Sequence, residues 1–67
     1  MHYVIVAMAD KGGLQYYSGN GFHDNALQAL RFKSEQAAQR RSEQSAICRR
    51  MQESGARIEV RRVASAA

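Results

Sequence analysis

The sequence predicts an α+β fold: a single ββαβ domain whose three-stranded antiparallel sheet, in strand order 2-1-3, carries one long helix on one face. Three observations predict it. Residues 3–9 form an apolar run rich in β-branched side chains, and at 57–63 β-branched residues alternate with charged ones. Gly12-Gly13 and Gly19-Asn20-Gly21 punctuate the first third of the chain as turns. From Ser34 to Ser54 there is neither Gly nor Pro, and Gly55 follows directly.

The first strand is read over His2 to Ala9. Val4, Ile5 and Val6 favour extended backbone, and both faces are apolar: Tyr3, Ile5 and Ala7 on one, Val4, Val6 and Met8 on the other. A strand apolar on both faces belongs in the middle of its sheet. Asp10-Lys11-Gly12-Gly13 turns the chain, because Gly takes positive φ without steric cost. Leu14 to Ser18 then pairs back as the second strand, and Gly19-Asn20-Gly21 ends it. Asp24 or Asn25 is expected to cap a short turn carrying Ala26, Leu27, Ala29 and Leu30, with Phe32 next as a core anchor.

Ser34 is the expected N-cap of the long helix, with Glu35 well placed in its first turn. The helix would run to Ser54, about 30 Å, with Gly55 at C′. Ala37, Gln44, Cys48 and Met51 fall along one side of it, flanked by Ala38, Ile47 and the stem of Arg41. Small residues there would let the helix lie close to the sheet. The third strand is Arg57 to Val63, with Ile58 and Val60 pointing one way and Glu59 and Arg61 the other. Arg62 and Val63 break the alternation, which predicts a bulge or the strand's end. The ordered core is expected over about 2–63, with a frayed tail at 64–67.

At 67 residues the chain is one small domain, spanning 1–67, that buries only about 60% of its unfolded surface. The helix would cover one sheet face and leave the other apolar set of strand one with nothing to cover it. An open apolar face on a marginal core predicts a homodimer or a foreign partner. The single cysteine, Cys48, excludes an internal disulfide framework and a Cys-rich zinc site. A lone thiol suits a reducing compartment, so a cytoplasmic protein is expected. No run reaches the length of a membrane span, and the Tyr3–Ala9 run lacks the basic leader and cleavage pattern of a secretion signal. No membrane partner is expected.

Up to Phe32 the charges balance, Lys11 and Arg31 against Asp10 and Asp24. The whole net charge of +4 therefore lies after it. Seven of the eight cations in that second half are Arg, whose planar fork suits carboxylates and phosphates. On one continuous helix Arg40, Arg41, Arg49 and Arg50 would point in four directions, so no single basic stripe for a DNA groove is expected.

Catalytic and metal-binding patterns are absent. His2 and His23 are the only imidazoles, and His23 beside Asp24 is read as a loop or cap pair. Cys48, on the packed side of the helix, is read as a small buried hydrophobe. The two His and one Cys show no zinc spacing, and neither glycine cluster continues into a phosphate-loop or dinucleotide fingerprint. The chain is therefore read as a non-enzyme with no catalytic residue, no metal and no cofactor. The candidate contact residues are Tyr3, Tyr16 and Tyr17 on the sheet, Arg40, Arg49 and Arg50 on the helix, and Arg57 and Arg61 on the last strand.

The stretch from Ala29 to Ala38, after a Tyr-rich hairpin, resembles a pattern of short phage and prophage proteins, A-x-x-F-x-S/T-x-x-x-A, filled here by Ala29, Phe32, Ser34 and Ala38. That class includes anti-CRISPR proteins and other small inhibitors of host machinery, which act by binding. The same stretch is similar to the sheet-plus-helix arm-binding domains at the start of phage integrases. Those place three strands before the helix, where two are read here.

The resemblance implies a small binding protein of mobile-element type that occludes a site on a larger host protein or ribonucleoprotein complex. The alternative is a regulator that binds nucleic acid directly through the basic C-terminal half and the sheet tyrosines.

Overall fold

The computed structural model describes residues 2–64. The chain is α+β, with a four-stranded antiparallel sheet and two helices. The strands are β1 (His2–Met8), β2 (Leu14–Tyr17), β3 (Phe22–His23) and β4 (Arg57–Val63), in sheet order β3-β2-β1-β4. The helices are α1 (Glu35–Gln44) and α2 (Ala46–Glu53). As the sequence predicts, the doubly apolar strand is central and flanked by the second and the last strands.

Two details differ from the three-strand, one-helix expectation. Gly19-Asn20-Gly21 does not end the hairpin ladder. With Gly19 at φ +103° and Ser18 N–H on the Gly21 carbonyl at 2.9 Å, it turns the chain into β3. There Tyr17 pairs Phe22 and Tyr16 pairs His23. The second difference is Ser45. Its ψ of 124° breaks the helix at a single residue that ends α1 and begins α2. Its N–H still donates to the Arg41 carbonyl at 2.9 Å, and its own carbonyl accepts from Arg49 N–H at 3.1 Å.

The other caps follow the sequence. Ser34 Oγ accepts from Ala37 N–H at 3.1 Å, and Asn25 Oδ1 accepts from Leu27 N–H at 2.9 Å to start the 3-10 turn Ala26–Gln28. Gly55, at φ +101°, donates to the Gln52 carbonyl while Ala56 N–H reaches that of Met51. These paired bonds close α2 as a Schellman motif.

Short β2 meets only the second half of β1, through Val6↔Tyr16, Ala7↔Gln15 and Met8↔Leu14. Phe32 takes the vacant place beside the first half. Tyr3 N–H donates to the Phe32 carbonyl at 2.9 Å, and Phe32 N–H returns to the Tyr3 carbonyl at 2.8 Å. On the other side β4 pairs β1 along its whole length, from His2↔Val63 to Met8↔Arg57. No bulge interrupts it at Arg62, which pairs Tyr3 in regular register. Ala64 lies just past the ladder, and the rest of the expected tail, residues 65–67, falls outside the described residues.

The core lies between the sheet and the helices. Ile5, Tyr17, Ala38 and Cys48 are buried together, with Tyr3, Phe22, Leu30, Phe32, Ile47, Ile58 and Val60 packed around them. The two helical residues in this cluster are small, so the helices approach the sheet closely. On the helices Ala38 and Cys48 are buried and Ile47 packs against them. Ala37 and Gln44, expected on the packed side, are exposed.

The opposite sheet face is not left bare. Val4 is 4% exposed and Val6 fully buried. Segment 26–31 reaches this face beside Val4, where Ala26, Leu27, Ala29 and Arg31 share an apolar cavity of about 270 Å³ with His2, Tyr16 and Val63. Arg61, opposite Val4 in the ladder, donates to Met8 Sδ at 3.4 Å, which carries its guanidinium past Val6. On the face from which a homodimer was expected the chain itself buries Val4 and Val6, while Leu27 beside them stands 84% exposed.

Candidate functional site

A cleft of about 760 Å³ lies where the α1–α2 corner stands over the β2–β3 end of the sheet. One wall is the α1 face Ala37, Arg40, Arg41 and Gln44, spaced i, i+3, i+4 and i+7 and so aligned along the helix. The break at Ser45 swings Ala46 and Ile47 across one end. Tyr17 and Phe32 contribute the sheet side, with Gly19 at the turn. The result is an apolar floor beside two exposed guanidinium groups.

Among the described residues neither Arg40 nor Arg41 has a carboxylate partner. The ion pair found among the described residues joins Arg61 to Glu59, at 3.6 Å on the far face of the sheet. No His, Cys, Asp or Glu lines the cleft. It offers two charged forks, an amide from Gln44 and apolar contact, with no acid or base to move a proton. The arginines can hold carboxylate or phosphate oxygens, and Phe32 and Ile47 an apolar group.

The sequence-predicted contact residues fall into separate groups. Arg40 lines the cleft. Tyr17 also lines it, but as wall: it is buried, its ring lies 5.5 Å from that of Phe22, and its hydroxyl donates to the Gly19 carbonyl at 3.2 Å. Tyr3 is half-buried on the helix side beside Phe32. Tyr16, Arg57 and Arg61 share the opposite sheet face. Arg49 and Arg50 are exposed on α2.

Arg41, Gln44, Phe32 and Ile47 were not expected at a shared site. The i, i+3, i+4, i+7 spacing of Ala37, Arg40, Arg41 and Gln44 was the signal available. That spacing does not reveal that Phe32 and Tyr17 stand against this face.

The perturbed titrating groups lie elsewhere. Burial pushes the Cys48 thiol up, opposed in part by its hydrogen bonding to Ser45. Lost solvation, and then the nearby Arg31 guanidinium, push the His2 imidazole down. Among the described residues no three His, Cys, Asp or Glu side chains gather as a metal site, and no helix is long and apolar enough to cross a membrane.

Comparison with protein-family models, curated proteins and solved structures finds no match.

Proposed function

We propose that the chain is a small, non-enzymatic binding protein that works by covering a site on a larger protein or ribonucleoprotein. The observation that carries this reading is the cleft at the α1–α2 corner. Arg40 and Arg41 stand there unpaired beside Phe32 and Ile47, with no titrating acid or base among them. An arginine fork next to an aromatic floor is the composition of protein contact sites. The partner's complement is an acidic segment with an apolar side chain. The resemblance of the Ala29–Ala38 stretch to short phage and prophage inhibitors supports the same class of action.

A regulator that binds nucleic acid directly is the competing function. Fluorescence anisotropy with mixed-sequence duplex and single-stranded oligonucleotides, at physiological salt, separates the two. Weak binding to both is expected. Nanomolar binding whose log–log salt slope is about −0.9 per phosphate contacted on duplex would replace the protein partner with nucleic acid.

A further inference from the structure

We propose that β4 is a self-pairing edge, and that two copies of the chain join β4 to β4 in one antiparallel register centred on Val60. β4 is the long free edge of the sheet, seven residues against two in β3 at the other edge.

Its free hydrogen-bonding groups can be assigned. Tyr3 spends its N–H and C=O on Phe32, on the side of β1 away from β4. By the alternation of an antiparallel ladder, His2, Val4, Val6 and Met8 then bond β4, through Val63, Arg61, Glu59 and Arg57. The N–H and C=O groups of Ile58, Val60 and Arg62 are left pointing outward.

Charge selects the register. With Val60 opposite Val60 of the second copy, Glu59 meets Arg61 and Arg61 meets Glu59. Ile58 then faces Arg62, and Arg57 faces Val63. No like charges oppose, and the outward groups of Ile58, Val60 and Arg62 meet their counterparts. A slip of one residue would set helix-side positions against outer-face positions, which a two-fold pair cannot do. A slip of two residues one way sets Arg57 against Arg61 and Glu59 against Glu59. A slip of two the other way sets Arg61 against Arg61. Directly opposed like charges destabilise a sheet.

On the helix side, Arg62 of the second copy arrives opposite Ile58. Ile58 borders an open groove of about 320 Å³ that also holds Glu35 and Glu43. Arg61 is available for the exchange, since in the single chain it holds only Glu59 at 3.6 Å and Met8 Sδ.

The test is sedimentation equilibrium from micromolar to sub-millimolar protein on four samples: the native chain, Glu59→Arg, Arg61→Glu, and an equimolar mixture of the two variants. The native chain is expected to dimerise, and each variant alone to do so about tenfold more weakly. The mixture should recover the native association, because the Arg residues at 59 and 61 of one variant then oppose the Glu residues at 61 and 59 of the other. Mixing leaves each folded chain unchanged, so recovery reports the interface and not the stability of the variants. A native chain that stays monomeric throughout, variants that dimerise as well as the native chain, or a mixture no better than its components would each overturn the proposal.

Discussion

The Ser45 hydroxyl accepts a hydrogen bond from the Cys48 amide at 3.3 Å. This contact caps α2, which begins after the single residue that separates it from α1. Ala38 on α1 and Cys48 on α2 both reach the core, although they stand ten positions apart across a break. The same turn closes the end of the arginine-lined cleft with Ala46 and Ile47.

Ser45→Ala should therefore cost about 1 kcal/mol, the usual value of a lost N-cap, while Ser45→Asp should stay within a few tenths of the native chain. Urea denaturation followed by circular dichroism measures both. An alanine variant as stable as the native chain would mean that tertiary packing alone holds the break.

Cys48 is fully buried, so a thiol reagent should label the native protein slowly and the urea-unfolded protein at once. Its pH dependence has a definite sign. Burial holds the folded thiol above the ordinary value of 9.0, so the unfolded chain loses this proton first. The thiol's contribution to stability is thus intact below that value and falls as pH rises through it. Cys48→Ala should flatten the alkaline decline in denaturation midpoints measured from neutral pH upward. An unchanged decline would assign it to other groups.

Gly55 closes α2 at φ +101°, a conformation that side chains disfavour. An added Cβ would meet only Asp10 Oδ2, at 3.5 Å, so the penalty is conformational and not steric. Gly55→Ala should destabilise by about 1 kcal/mol, and Gly55→Asn by less, since Asn tolerates the left-handed region. Thermal melts of the two variants give the order, and a reversed order would remove the left-handed cap as the cause.

Most of the fold was legible because its signals are local. The β-branched runs, the Ser34 and Asn25 caps and Gly55 each act within a few residues, and the doubly apolar β1 placed itself at the centre. What escaped depends on contacts distant in sequence or on an unusually placed polar residue. Ser45 reads as an ordinary helical serine until its backbone is seen. β3 is too short to leave a hydropathy pattern. Val4 and Val6 lie beside Arg61 and segment 26–31; the segment's alanines and leucines are visible in the sequence, but not which sheet face they reach. The cleft was hidden because its parts are distant in the chain: Arg40 and Arg41 stand on α1, while Tyr17 and Phe32 come from the sheet side.

The most direct test of the binding-protein account is affinity capture from the cell that carries the protein. The bait is the full native chain or the Arg40→Glu, Arg41→Glu double variant, each with and without nuclease. Both substituted side chains are exposed, and the variant's fold is checked by circular dichroism. The account predicts a defined protein partner that the native chain retains after nuclease treatment and that the charge-reversed chain loses. Equal retention by both chains, or capture that nuclease abolishes, would contradict it.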